Sequence, residues 1–283
     1  MIAFLGMGLL GSNFVRALRR RGQDVQVWNR SHDKAQALAA DGAVPCQDVL
    51  AAVKGASHVH MALSDDAAVD QVLEAALPGV AAGTVIIDHT TTLASGIVAR
   101  AARVASKGAV FQHAPVFMGP KNALDGTGIM MCSGDRARFD ALEPHLGPMT
   151  GKLMYLGPLP ERAAGMKLVG NLFLVSMMNS VFDMLGLAKA LGIPATEAST
   201  LFEFFNPAAM LPARTQSVLK ANFSQASWEL AMARKDVRLM LEEARRGDVA
   251  LTLTPAIAAL MDAWIEKGHA HDDWSVIASD VVR

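Results

Sequence analysis

Scarcity carries the first information in this chain. Of its 283 residues only two are cysteine, Cys46 and Cys132. They stand far apart in different expected elements, which excludes a disulfide framework and fits a reducing compartment. Excess charge of either sign is missing too: 26 Lys and Arg face 27 Asp and Glu. No basic stripe forms, so nucleic acid and anionic membrane surfaces are set aside as partners. Charged and polar residues interrupt every apolar run short of about 18 residues, so no membrane-crossing helix is expected. The opening MIAFLG reads as a strand, with no positively charged leader. There is no internal repeat and no low-complexity tract. A soluble, cytoplasmic protein is the expectation.

What the chain does have is apolar mass. Hydrophobic residues make up 52% of it, ample for a large core and enough length for two domains. The first half alternates short apolar runs (IAFL, VQVW, HVHMAL, TVIID, AVFQHAPV, GIMMCSG, KLMYLG) with helical patterns such as SNFVRALRRRG and AAVDQVLEAAL. Strands alternating with helices of this length predict βαβ units and a mainly parallel sheet. The pattern changes near Pro158 and Pro160. From Arg162 onward only helices are expected: about Arg162–Leu191, Ala195–Phe205, Trp228–Arg246 and Pro255–Glu266, with a terminal turn from Trp274. The first would span about 45 Å at 1.5 Å per residue, enough to leave one domain and enter another. The predicted architecture is a doubly wound α/β Rossmann domain, residues 1–161, followed by an all-α domain, residues 162–283, joined by that long helix.

GMGLLG supplies Gly6, Gly8 and Gly11 in G-x-G-x-x-G spacing, after a strand and at the opening of a helix, the context in which the motif binds a dinucleotide. Gly6 permits the tight turn, Gly8 lets the pyrophosphate approach and Gly11 allows close helix–strand packing. The loop as a whole, Met7, Leu9 and Leu10 included, is the candidate pyrophosphate cradle, with the helix N-terminus offering its N–H groups. About twenty residues on, where a carboxylate would bind the ribose hydroxyls of NAD, the sequence reads WNRS. Asn29, Arg30 and Ser31 remove a charge that would repel a 2′-phosphate and add one that attracts it. The pattern predicts NADP(H) as cofactor.

These segments, together with ALSD, DHTTT, APVFMGPKNALDGTG, GMKLVGN, SMMN and RKDVRL, resemble in order and spacing the β-hydroxyacid dehydrogenase family, which includes the 3-hydroxyisobutyrate dehydrogenases. Among its branches the chain looks most like the glyoxylate/succinic semialdehyde reductases. The resemblance extends over essentially the whole chain and implies an oxidoreductase acting on a small carbonyl or hydroxy acid. By resemblance Lys167 is the general acid/base and Asn171 positions substrate and lysine; at i and i+4 they share one helix face. A lysine ammonium supplies both a proton and a positive charge to a forming alkoxide. Leu63, Ser64, Thr91 and Lys235 are implied on the cofactor, and Thr90, Phe117, Met118 and Gly119 on the substrate. A homodimer or homotetramer is implied as well. Two departures stand out. Phe117 and Met118 occupy positions that many members fill with serine and glycine, and only Gly119 is retained. Gly170 replaces an asparagine often found before Asn171.

Three other readings are weighed beside a semialdehyde or glyoxylate reductase. A 3-hydroxyisobutyrate dehydrogenase shares every motif above. An imine reductase shares the fold and NADPH preference but generally lacks the lysine. A non-catalytic NADP-binding protein would have no use for Lys167 and Asn171. No metal site is assigned: HAHDD at 269–273 has no element fixing its ligands. His113 is read as a hydrogen-bonded structural residue and the methionines as core filling. Ser12 and Ser95 have no readable His/Asp partners for hydrolase chemistry.

Overall fold

The computed structural model describes residues 1–282, in two compact units, Met1–Asn171 and Leu172–Arg283. The first unit opens with strand β1 (Ile2–Leu5), helix α1 (Leu9–Arg20), β2 (Val25–Trp28), α2 (His32–Gln36), β3 (Val44–Pro45), α3 (Val49–Val53), β4 (His58–Met61), α4 (Asp66–Ala76), β5 (Val85–Asp88), α5 (Ile97–Ala105) and β6 (Val110–His113). The six strands pair in parallel in the order β3-β2-β1-β4-β5-β6. Helices therefore cover both faces, and the strands are near-continuously apolar because both faces are buried. Ile2, Ala3, Phe4 and Leu5 are all buried, with Phe4 facing one core cluster and Leu5 the other.

A second, smaller sheet follows: β7 (Val116–Phe117), α6 (Pro120–Asp125), β8 (Ile129–Cys132), α7 (Arg136–Leu146) and β9 (Lys152–Tyr155). Its order is β7-β8-β9, antiparallel then parallel. The apolar run AVFQHAPV, expected as one strand, is thus split between two sheets. Pro115 stands at the break, where it has no N–H to give to a ladder, while its carbonyl accepts from Met131 N at 2.9 Å.

Helix α8 runs from Arg162 to Ala190, and the division between the units falls inside it, after Asn171. The second unit continues with α9 (Ala195–Ser199), α10 (Leu201–Phe204), α11 (Leu211–Leu219), α12 (Leu230–Arg246), α13 (Thr254–Glu266) and α14 (Ser279–Val282). The helix expected over Ala195–Phe205 is two short ones meeting at Thr200. Helix α11 escapes a periodicity reading because Pro207, opening the short 3-10 segment before it, and Pro212, its second residue, both read as breaks. Each proline lies in the first turn of its own helical segment, where a missing N–H costs nothing. The core of this unit gathers Phe223, Leu230, Ala233, Val237, Met261 and Trp264. Asp183 on α8 ties it to the start of α13. Its Oδ1 accepts from Thr252 N and Oγ1, and its Oδ2 from Leu253 N and from Thr254 N and Oγ1, all at 2.6–3.0 Å. Burial works against the carboxylate, but these donors win and bring its pKa down to about 2.

By length and composition α8 is long and apolar enough to cross a membrane: a window of it has mean hydropathy 1.5, and only 6% of that window is buried within the chain. A search for unbroken apolar runs overlooks it, because Asn171, Ser176, Asn179 and Ser180 punctuate the helix without making it hydrophilic.

Buried within the first unit is a chain of histidine rings. His89 Nδ1 lies 2.8 Å from the Ala114 carbonyl, His89 Nε2 lies 2.9 Å from His60 Nδ1, and His60 Nε2 lies 2.8 Å from His145 Nε2. With neutral rings only one proton arrangement satisfies all three contacts. His89 Nδ1–H donates to the carbonyl, His60 Nδ1–H donates to His89, and His145 Nε2–H donates to His60. Phe4 stacks on both His60 and His89. Burial drives all of these rings toward neutrality: His89 and His145 down to about 4, His60 well below its usual value, and the neighbouring His113 down to about 4. Burial also pushes the Asp88 carboxyl up to about 7, so it favours the protonated form.

Between pH 4 and 6.5 the unfolded chain therefore binds protons on four histidines that the folded chain keeps neutral. Asp88 works in the opposite sense, taking up one proton on folding. The histidines outnumber it, so stability rises with pH across this window. The midpoint of thermal unfolding should fall steadily as pH drops from 6.5 toward 4, measured by differential scanning calorimetry. A flat profile down to pH 4.5 would show that the rings are protonated in the folded protein without penalty.

Candidate functional site

The Gly-rich turn is built by close approach. Gly6 has φ +104°, and a Cβ there would lie 2.3 Å from the Ala62 carbonyl oxygen. A Cβ at Gly11 would lie 1.9 Å from the Gly6 carbonyl oxygen, so α1 packs against β1 at a distance that only glycine allows. Gly8 is different: nothing lies within 4 Å of its missing Cβ. It also precedes α1 without any side-chain cap, and the first turn of the helix has no acidic residue. That leaves an open backbone face and free N–H groups at a helix N-terminus, suited to a pyrophosphate. Met7 is buried and Leu10 half-buried, whereas Leu9 is 78% exposed and projects away from the core.

A cleft of about 450 Å³ opens beside this turn. It brings together Gly6, Gly8, Asn29, Arg30, Ser31, Leu63 and Ser64 from the sequence-predicted set. None of its lining residues is acidic, and Arg30 is joined there by Lys34 of α2. Lys34 escaped the sequence reading; it lies on α2, just beyond the WNRS segment. Val49, Val72 and Ala75 give the cleft an apolar wall, also unforeseen because they come from α3 and α4.

Asn29 serves the loop more than the cleft. Its Oδ1 accepts from Met7 N at 2.9 Å and its Nδ2 donates to the Ser31 carbonyl at 3.0 Å. It therefore braces the Gly-rich turn against the end of β2, and its amide is already committed rather than being a free donor. Thr90 is also committed. It is buried, and its Oγ1 accepts from Leu63 N at 3.0 Å, joining the loops after β4 and β5. Its own N–H donates to Asp88 Oδ1 at 2.9 Å. Thr91 beside it is exposed. His113 is buried with Nε2 donating to the Thr90 carbonyl at 2.9 Å, a structural bond as expected.

Lys167 and Asn171 sit one turn apart in the first part of α8, both half-buried. The Lys167 Nζ lies 4.2 Å from the centre of the Phe117 ring. Burial lowers the lysine pKa from its usual value. Met118 is half-buried and Gly119 exposed. Gly119 N donates to Asn122 Oδ1 at 2.9 Å, closing the start of α6. Lys235 belongs to the second unit, where its Nζ pairs with Asp236 Oδ1 at 2.8 Å. In HAHDD, His269 pairs with Asp272 and His271 with Glu229.

Comparison with known proteins agrees with this geometry. A family model described as the NAD binding domain of 6-phosphogluconate dehydrogenase matches residues 1–157. A second, described as NAD-binding of NADP-dependent 3-hydroxyisobutyrate dehydrogenase, matches residues 162–280. Glyoxylate/succinic semialdehyde reductase 1 of Arabidopsis thaliana is 29% identical, covering 93% of this chain and 91% of its own. The 2-(hydroxymethyl)glutarate dehydrogenase of Eubacterium barkeri is 24% identical, covering 98% and 93%. Among solved structures, an imine reductase from Myxococcus stipitatus in complex with NADP+ superposes with a TM-score of 0.92 over 98% of both chains, at 18% identity, and so shares the fold. With an acid-free, glycine-cradled cleft and a family match along nearly its whole length, this chain belongs to the β-hydroxyacid dehydrogenase family and is an NAD(P)-dependent oxidoreductase.

Proposed function

We propose that the chain interconverts a small aldehyde acid and its hydroxy acid, with NADP(H) as cofactor and Lys167 as general acid/base. The observation that carries the reaction is Lys167 itself: a half-buried lysine with a lowered pKa. The names of the Arabidopsis relatives, glyoxylate/succinic semialdehyde reductases, supply the substrate class. Bound in the glycine-cradled cleft, the nicotinamide cofactor would supply or accept the hydride. In the reducing direction Lys167 gives its Nζ proton to the carbonyl oxygen as negative charge develops there, and its charge stabilises the forming alkoxide. In the oxidising direction it must first be neutral, which burial favours. Asn171, one turn further along the same helix face, is assigned to orienting the substrate and the lysine.

NADP(H) is assigned over NAD(H) because Arg30 and Lys34 line a cleft with no acidic residue. A guanidinium and an ammonium favour a 2′-phosphate. Thr91 and Lys235 keep their assignment as cofactor contacts, and Met118 and Gly119 theirs as part of the substrate loop. The apolar, exposed surface of α8, including Leu172, Phe173, Val175 and Met178, supports a homodimer or homotetramer in which a second copy covers it.

Three measurements test these assignments. Lys167→Ala should lower kcat for carbonyl reduction by about 10²–10⁴-fold while NADPH still binds, as read by fluorescence titration; an unchanged rate would remove the lysine from the mechanism. Arg30→Ala should weaken NADPH binding by about tenfold to a hundredfold, the loss of one charge-assisted bond, and leave NADH binding nearly unaltered. Equal losses for both cofactors would mean that Arg30 does not meet the 2′-phosphate. Sedimentation equilibrium should give the mass of two or four copies, and a monomer at micromolar concentration would remove the oligomer.

A further inference from the structure

Phe117 and Gly170 fit each other. Phe117 ends β7, and its ring lies on the Lys167 ammonium. A Cβ on Gly170 would lie 2.3 Å from the Phe117 Cζ and 2.9 Å from its Cε1. The tip of the ring thus occupies a notch in α8 that only glycine leaves, three residues beyond Lys167. The next two loop residues are also engaged. Met118 packs its side chain where a Cβ on Gly128 would lie only 2.8 Å from Met118 Cγ. The Gly119 N–H is already given to Asn122 Oδ1.

The consequence for substrate follows from distances. A lysine that protonates a carbonyl oxygen stands about 3 Å from it. Any group bonded to the carbonyl carbon then falls within a few ångströms of the same Nζ, alongside the ring. A carboxylate pressed there meets the negative face of the aromatic quadrupole and competes with the carbonyl oxygen for the Lys167 ammonium. A methylene or ring carbon in the same place gains apolar contact. We infer that Phe117, held in the Gly170 notch, is a specificity-determining residue: it selects carbonyl substrates flanked by hydrocarbon, with any carboxylate at least two carbons away, against 2-oxo acids. This rests on Lys167 being the proton donor, and it chooses the semialdehyde type over the glyoxylate type.

The experiment compares kcat/KM for succinic semialdehyde and glyoxylate, with NADPH, in the wild type and in Phe117→Ser, Gly170→Ala and the double variant. The wild type should prefer the semialdehyde by at least about tenfold. Phe117→Ser should bring that ratio down about tenfold, chiefly through the two KM values. Gly170→Ala adds a methyl against the ring and should lower semialdehyde kcat/KM by about tenfold, yet be nearly neutral beside Phe117→Ser. Alanine strengthens an α-helix relative to glycine, so this loss would not be a helix defect, and the variant serves even where Phe117→Ser does not fold. A wild-type preference for glyoxylate would overturn the assignment. So would an unchanged ratio in Phe117→Ser, or equal effects of Gly170→Ala in both backgrounds. Lys167→Ala separates the two levels: if it abolishes turnover while the ratios do not move, the specificity assignment fails and the proton donor stands.

Discussion

The approach of α1 to β1 is the constraint on which the nucleotide site depends. The Gly6 carbonyl oxygen occupies space that any side chain at Gly11 would need, so the helix can meet the strand end only with glycine at that position. This approach aims the N-terminus of α1 across the carboxyl edge of the sheet. Parallel pairing places every other strand end of that sheet on the same edge. The loops after β2, β4 and β5 follow from it: Asn29 braces the glycine turn, and Thr90 joins the β5 loop to Leu63. Both residues thus also hold the rim in shape. The cations Arg30 and Lys34 are left facing the cleft.

Polar groups buried behind this rim are organised by hydrogen bonding. Three histidines and a carbonyl form one directional chain through the first unit. A buried imidazole is tolerable when neutral and paired; His60 and His89 each donate and accept, and His145 donates at the end of the row. Asp183 solves the same problem in the second unit with full ionisation, because five donors surround it. The difference is donor supply: backbone N–H groups at the start of α13 can stabilise a charge, whereas a row of rings can only share protons.

Much of the layout was legible beforehand. The parallel sheet, the long helix beginning at Arg162 and the glycine cradle follow from short-range patterns: apolar runs, glycine spacing, proline breaks. Elements that evaded this reading have physical reasons. Strand β3 is a single pair of residues, α7 carries Pro144 inside it, and α11 has Pro212 as its second residue. The split of AVFQHAPV into two strands depends on which neighbours each half finds. The apolar exposure of α8 was masked by polar residues that a helix spreads around its circumference.

Residue order by itself determined the fold class, the dinucleotide cradle and the loss of the ribose-binding carboxylate, because each is written in residues a few positions apart. Tertiary structure alone decided what those residues touch. It committed the Asn29 amide and the Thr90 hydroxyl to the loops, added Lys34 to Arg30, and threaded the histidines into one chain. It also set the Phe117 ring over Lys167 in the space that Gly170 vacates. Phe117 and Gly170 are 53 residues apart, and no local propensity relates them; their fit exists only once β7 and α8 lie side by side.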